Sequence, residues 1–314
     1  MKDRMLKVAY IFASDSRRRF MLTGVGGLAA FGVTASMDAS AMPQEPEQSD
    51  DGTKSTRPRW FLEPQDVDMI SWLALPKKER VLDAGCGRGN HLRLFSKHLT
   101  QGKVTGVDTN ESRIADIQKW VSEGSIGENA SGVVADVRSL PMPDNSFGCV
   151  WSSHTMHILP DPIAGVRELV RVCKEGGRVV VREDRFLDRL LPIDVGLGSP
   201  GVEDRAVAAS AEWFAADRLE RGKLPFGWLD VLRQAGLRKV KTKSFLFERQ
   251  PPFAEEEIAY LRERKILRLI SDSLNEEDQQ TLKTLADVNS PSYVFLRSDL
   301  PFVSVATLYV GSKE

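Results

Sequence analysis

Residues 81–91 read Val-Leu-Asp-Ala-Gly-Cys-Gly-Arg-Gly-Asn-His. Apolar residues run into an aspartate, glycines follow at alternate positions, and an apolar-periodic segment then begins. This is the order of a strand, a tight turn and a helix. Glycine has no Cβ, so the turn bends sharply and a ligand can approach its N–H groups. The helix points the positive end of its dipole at the same place. The spacing predicts a nucleotide-type site, and two details narrow it. A dinucleotide fingerprint needs a third glycine at position 90, but Asn90 stands there and Gly89 comes one position early. Asp83 also places a carboxylate in the turn, where it repels a pyrophosphate and attracts a cation. The residues therefore favour a nucleoside with a cationic amino-acid arm over a dinucleotide; the alternative is nicotinamide-dependent redox chemistry.

Proton-transfer chemistry has four candidates. His154 and His157 lie where a fourth strand ends, and Glu183 and Asp184 where a fifth ends. A histidine that titrates near neutrality suits proton removal. The competing reading is that the two histidines sit on a helical turn, one shaping a pocket and one partly solvated, and that Glu183 or Asp184 caps a helix. His154 and His157 are not expected to hold a metal, since no third and fourth ligands stand near. Cys86 reads as a small packed residue in the loop. Trp213 and Phe214 either line a pocket or belong to a core, and Trp60 and Phe61 either cover a bound ligand or anchor the domain.

The elements that position these residues alternate. Val67, Ile70, Trp72, Leu73 and Leu75 predict a short helix ending near Pro76. A strand over 80–83 is followed by a helix over 91–99, and a strand over 103–108 by a helix capped by Asn110. Strands are predicted over 132–136 and 147–152. Asp161-Pro162 supplies a cap and a first-turn proline, Gly176-Gly177 stops that helix, and a fifth strand covers 178–184. Such alternation predicts βαβ units in a parallel sheet. Right-handed crossovers then gather every strand-to-helix loop at one edge, where ligands of open α/β sheets bind. Beyond 184 the pattern predicts helices over 202–221, 226–235, 254–273 and 275–288, and strands over 239–248 and 302–311.

The first sixty residues are built differently. Arg17-Arg18 precede a Gly/Ala-rich apolar run, and Ala39-Ser40-Ala41 offers small residues for cleavage. These parts resemble a twin-arginine export signal over 1–41, which would place the protein in the periplasm or cell envelope; if the signal is unused, the cytoplasm is expected. The run holds too many glycines and threonines to predict a permanent span in the mature form. Residues 42–59 are polar and proline-flanked and read as a linker, so the folded domain is expected over 60–314. The 314 residues carry a formal net charge of −1 with no long basic run, which gives a nucleic-acid role no support. Three widely separated cysteines, Cys86, Cys149 and Cys173, read as reduced thiols.

Several segments, in order, carry a resemblance. Asp83-Ala84-Gly85-Cys86-Gly87-Arg88-Gly89 resembles motif I of the class I S-adenosylmethionine-dependent methyltransferases. Gly106-Val107-Asp108 resembles the strand end whose acid holds the ribose hydroxyls. Ala135-Asp136-Val137 resembles the segment whose aspartate bonds the adenine amino group and whose next residue packs on the ring. Leu140-Pro141-Met142-Pro143-Asp144-Asn145-Ser146-Phe147 resembles the family's lead-in to the fourth strand, with Gly148 where aspartate is usual. Arg167-Glu168-Leu169-Val170-Arg171 through Gly176-Gly177 resembles its last helix and turn, with Glu175 in place of proline. The likeness spans 81–184 and points to the type 11 small-molecule group, which includes quinone-biosynthesis C-methyltransferases.

The resemblance implies a doubly wound, Rossmann-like α/β fold with a seven-stranded sheet whose last strand is antiparallel. It implies S-adenosylmethionine as cofactor, held by Asp83, Gly85, Cys86, Gly87, Gly89, Asp108, Thr109, Asp136, Val137 and Ser152, and a small-molecule methyl acceptor. A chain that binds this cofactor without turning it over is the alternative on the same fold. The stretches 185–224 and 251–301 exceed the usual fold and are expected to form a helical cap over the substrate side.

Overall fold

A seven-stranded sheet organises the computed structural model, which describes residues 62–183, 188–221 and 227–314. The export signal, the linker, Trp60, Phe61 and Asp184 lie outside the described residues, as do the side chains of Trp213 and Phe214. The strands are β1 (Arg80–Ala84), β2 (Lys103–Asp108), β3 (Ala130–Val134), β4 (Phe147–Ser153), β5 (Cys173–Arg182), β6 (Arg238–Arg249) and β7 (Phe302–Ser312). Their spatial order is β3-β2-β1-β4-β5-β7-β6. β1 to β5 are parallel, while β7 runs antiparallel to both β5 and β6.

The pleat divides the core in two. Val81, Cys149, Trp151 and Val180 pack with α1 (Glu63–Trp72), α2 (Asn90–His98) and α3 (Glu111–Ser122). Leu82, Val150, Val179 and Val181 face the other way, onto α4 (Pro162–Val172) and α6 (Trp228–Gln234). Alternate strand residues point to opposite faces, so a strand buried on both sides is apolar at nearly every position. The helix starts follow from local chemistry. Asn110 accepts from the Arg113 N–H and Asp161 from the Ala164 N–H, each satisfying a donor that the first turn leaves unpaired.

Some expected boundaries shift. α4 ends at Val172, before Gly176-Gly177, because Cys173 already pairs with Phe147 and buries its thiol; a bulge then brings Arg178 opposite Cys149. β3 ends at Val134, which leaves Asp136 in the loop beyond the strand. The helix expected over 254–273 breaks into α7 (Glu255–Leu261), a wide turn at Arg262–Ile266 and a tight turn at Leu267–Leu269. The wide turn lets Leu261 and Ile266 both bury, and it carries Arg262 Nε to the carbonyl of Ala286 at 2.6 Å. That carbonyl is one of those left unpaired at the end of α8 (Glu276–Ala286).

α5 (Val202–Arg221), α7 and α8 form a third core of their own. Val202, Ala206, Leu261, Ile266, Leu282 and Leu285 pack with Leu190, Leu300 and Phe302. The two stretches that supply it are tied by polar contacts. Arg205 grips Asp278 at 2.8 and 2.6 Å and Lys265 pairs with Asp188, while within the first stretch Glu203 accepts the Leu190 N–H at 2.9 Å. Leu308 of β7 stands opposite Arg182, the last residue of β5, so the start of β7 at Phe302 runs past the end of the parallel strands. Val303 there pairs with Arg189. The third core therefore stands at the carboxyl edge of the sheet.

Candidate functional site

The glycine turn leaves β1 with Gly85, Gly87 and Gly89 all at positive φ, +78°, +52° and +73°. Their missing side chains serve different ends. A Cβ on Gly85 would lie 2.1 Å from Thr155 Oγ1, so this glycine lets the loop after β4 close onto the turn. A Cβ on Gly87 would meet nothing within 4 Å, so this glycine faces open space. The N–H groups are spent internally: those of Gly85 and Cys86 both donate to Val107 O at 2.8 Å, that of Gly87 to Asp108 Oδ2 at 2.9 Å, and that of Gly89 to Cys86 O at 2.9 Å. The expectation that a ligand approaches these N–H groups is thereby corrected. The turn offers a ligand bare surface at Gly87 rather than a donor cradle, which removes the feature a phosphate needs.

Asp83 lies at the base of this turn, 1% exposed, and neither carboxylate oxygen has a hydrogen-bond partner. Burial pushes its pKa up to about 6, against the pull of His91; the charge of Asp108 adds to the rise, and the Leu92 N–H, too poorly placed for a full hydrogen bond, opposes it weakly. A buried carboxylate without a donor is costly, and a ligand cation relieves the cost. This fits the ammonium of an amino-acid arm and does not fit a phosphate.

Asp108 ends β2 and is also buried. Its Oδ2 takes the Gly87 N–H and its Oδ1 the Asn110 N–H, each at 2.9 Å, which locks the glycine turn to the next helix start. Thr109 beside it is exposed. Asp136 is gripped by Arg138, with Nη2 2.6 Å and Nε 2.9 Å from Oδ2, and this hydrogen bonding holds its carboxyl below the usual carboxylate range. The Arg138 side chain is 60% exposed, so breaking this surface pair costs little. Val137 is buried beside Val107 and Leu140. Ser152 is fully buried on β4 with its Oγ unpartnered, and so is the Oγ of Ser153. Cys86 is buried too, and burial raises its thiol pKa, which argues against a nucleophile.

At the ends of β4 and β5 the structure brings His154, His157 and Glu183 together. The two imidazole rings lie 6.5 Å apart, centroid to centroid. His154 sits at φ +52° and donates its N–H to Arg182 O at 3.0 Å. Glu183 is buried and takes both the N–H of His157 at 3.2 Å and its ring Nδ1 at 2.8 Å.

Sequence reasoning missed a second polar cluster on the α1 face. Asp66 of α1 lies 2.9 Å from Arg182 Nη1 and 3.6 Å from His91 Nε2, and the His91 ring lies tilted against that of Trp151, 5.0 Å between centroids. Burial raises the Asp66 pKa, but His91 and Arg182 outweigh it and hold the carboxyl below its ordinary value. No local signal joins residues this far apart in the chain. The departure at Gly148 has a physical reason: a side chain there would meet the Glu79 carboxylate, which pairs with Lys174 at 2.9 Å. Among the described residues no group of His, Cys, Asp or Glu is placed to hold a metal, and no helix is long and apolar enough to cross a membrane.

Comparison with known proteins bears on the same region. Residues 82–181 match the family described as methyltransferase domain. An uncharacterised methyltransferase of Schizosaccharomyces pombe is 33% identical over 116 residues, 35% of this chain and 42% of that protein. The ubiquinone/menaquinone biosynthesis C-methyltransferase of Yersinia enterocolitica is 35% identical over 106 residues, 33% of this chain and 42% of that protein. The chain thus spans less than half the length of these curated relatives. A solved structure from Bacillus halodurans, provisionally assigned to the methyltransferases, superposes with a TM-score of 0.50 at 19% identity, over 80% of this chain and 99% of that one.

Proposed function

From a chain that carries a class I S-adenosylmethionine-dependent methyltransferase domain, we propose that the whole protein transfers a methyl group from S-adenosylmethionine to a small-molecule acceptor. The observation that carries this reading is Asp83, a buried carboxylate without a donor at the foot of an open glycine turn. It receives the ammonium of the methionine arm. Gly87 leaves room for the donor to come close, Asp108 accepts from the ribose hydroxyls, Asp136 accepts from the adenine amino group, and Val137 packs on the ring. The bound cofactor supplies an electrophilic methyl on a sulfonium. The protein's own task is to hold an acceptor in line with it and keep water out. The third core at the carboxyl edge of the sheet supplies the acceptor's side of the chamber. A small acceptor agrees with the absence of a long basic run and with the small-molecule pathway in the name of the Yersinia relative.

Titration calorimetry with S-adenosylhomocysteine tests the reading. Saturable one-site binding that Asp108→Ala removes is the expected result, whereas binding of NAD with none of S-adenosylhomocysteine overturns it. The residues around Arg17-Arg18 are read as an export signal in the same proposal. Sequencing the mature N terminus after cell fractionation checks that part: a start at Met42 outside the cytoplasm is expected, and an intact Met1 inside it sinks the export signal alone.

A further inference from the structure

We propose that the outer edge of β6 is a docking edge for an extended acidic segment of a partner protein, which adds to the sheet as an antiparallel strand. The inference is independent of the methyl-transfer reading. β6 is the last strand of the sheet and pairs only with β7. An edge strand presents a row of unpaired N–H and C=O groups, and proteins block such edges with short strands, prolines, bulges, a covering element or charge. The opposite edge, β3, is only five residues long. β6 has 12 residues and no proline. Its pairing with β7 is regular from Lys241 to Arg249, and the irregularity lies before that, between Arg238 and Lys241. Residues 241–244, Leu246 and Glu248 are exposed. Gln65 of α1 donates to the Phe245 carbonyl at 2.8 Å, but it also reaches Ser304 O of β7 at 3.4 Å, so it lies over the β6–β7 pair. Among the described residues no further strand pairs with β6.

What guards this edge is charge, and of one sign. Arg238, Lys239, Lys241 and Lys243 crowd its first half, and its one acid, Glu248, lies at the far end. Lys239 pairs with Glu314, whereas Arg238, Lys241 and Lys243 form no ion pair with a described residue. Alternation puts Lys241 and Lys243 on one face with Phe245, the face that α1 covers. Lys241 Nζ lies 5.1 Å from the centre of the Trp72 ring, and Lys243 Nζ 5.6 Å from that of Phe245. The rings hold the two ammonium groups in place and leave their charge unneutralised. Leu246 belongs to the alternate set of residues and is 66% exposed.

These features choose the occupant. A second copy of β6 brings the same cations and a single acid, so it offers them no complement. A nucleic-acid duplex or a bilayer presents a broad charged surface, whereas these cations lie in one line along a strand. An extended acidic peptide supplies both things the edge lacks: main-chain partners for its N–H and C=O groups, and carboxylates for Lys241 and Lys243. Antiparallel pairing sets opposite residues on the same face, their Cβ atoms about 5 Å apart, where opposite charges attract. Counting from the residue opposite Leu246 to the one opposite Lys241, the segment reads apolar-x-x-acid-x-acid. Its apolar side chain packs beside Leu246, and its two acids face Lys243 and Lys241.

Calorimetric titration of the full chain with the synthetic peptide Thr-Val-Thr-Thr-Glu-Thr-Glu-Thr tests the inference, with amide hydrogen exchange as the second readout. Saturable binding that weakens as salt is added is expected, together with slowed exchange over 241–246. Lys241→Glu with Lys243→Glu should lower the affinity at least about tenfold and leave the circular dichroism unchanged. The same double variant should bind the peptide that carries lysine in place of both glutamates. No binding by the wild type overturns the inference. So does equal binding of the same residues in shuffled order, of duplex DNA, or of phosphatidylcholine vesicles containing phosphatidylserine, because each needs charge alone. Binding without slowed exchange in β6 places the peptide elsewhere and also overturns it. Should the double variant lose its folded circular dichroism, Leu246→Ala decides: about a threefold loss of peptide affinity is expected, and an unchanged affinity overturns the docking edge.

Discussion

The donor half of the site and the cap beside it solve the burial of charge in opposite ways. Around β1 and β2 a carboxylate is left without a donor: Asp83 is buried and unpartnered. Among the described residues of the cap the buried acids have donors, Glu203 from the Leu190 N–H even though burial raises its pKa. Asp278 is buried but gripped by Arg205, accepts from the Asn275 side-chain amide and donates its own backbone N–H to Asn275 Oδ1, and Glu257 is gripped by Arg249. Hydrogen bonding to Arg205 keeps the Asp278 carboxyl below its ordinary value, whereas burial lifts Asp83. A pair that satisfies itself has nothing left for a ligand, and a lone buried charge is stabilised when a ligand arrives. The contrast separates a region built to bind from a region built to stay folded.

The largest expected effect attacks the binding half. Asp108→Ala removes the acceptor of two N–H groups and the proposed ribose contact, so S-adenosylhomocysteine affinity should fall by roughly 100-fold or more, with the far-ultraviolet circular dichroism unchanged. Retained affinity would remove Asp108 from the site.

A glycine pair sharpens the comparison further. Gly85→Ala drives a Cβ into Thr155 at positive φ and should cost about 3 kcal/mol of folding stability by urea denaturation. Gly87→Ala meets no neighbour, so only backbone strain of about 1 kcal/mol is expected. Its methyl nevertheless occupies the ligand's side, and affinity should fall at least tenfold. Equal stability costs at the two positions would refute the open face at Gly87.

The pH dependence of Asp83 follows from its raised value. Its pKa is 3.8 ordinarily and about 6 in the fold, so the native state keeps this proton longer than the unfolded chain does. Stability in the absence of ligand should therefore decline as pH rises from about 4 to about 6, by about 3 kcal/mol from this group, and then level off. Affinity for a ligand ammonium should rise over the same interval, as the carboxylate forms. Asp83→Asn should flatten both curves, which parallel titrations of wild type and variant would show.

The effect in the cap is on stability alone. Asp278 has a lowered value, so its contribution is present above the ordinary carboxylate pKa and is lost as pH falls through the folded one. Asp278→Asn should cost about 1–2 kcal/mol and raise hydrogen exchange in α5 and α8, with β1 and β2 unchanged. Equal loosening of the sheet would show that the cap is not a separate cooperative unit.

The glycine turn and its acids were largely legible in the residue order, and the contacts at the ends of β4 and β5 much less so. Asn110 and Asp161 announced helix starts because a cap bonds three residues away, and Gly85, Gly87 and Gly89 announced a turn because their backbone angles need no side chain. The fate of the N–H groups was not legible: Val107 and Asp108 take them from a neighbouring strand. Nor could the order show that His157 pairs with Glu183, a carboxylate 26 residues further on. The helix expected over 254–273 broke because burying Leu261 and Ile266 together outweighed regular helical bonding.

Short-range chemistry, written in spacing and side-chain type, was enough to set the alternation of strands and helices, the turn at the glycines and the acid at its foot. What needed the folded chain was every partner across the sheet: Thr155 against Gly85, Asp66 with Arg182 and His91, Glu183 with His157, and Arg205 with Asp278. Those contacts depend on which strand lies beside which and on where two distant stretches meet, and pairwise proximity of this kind leaves no periodic trace along a single chain.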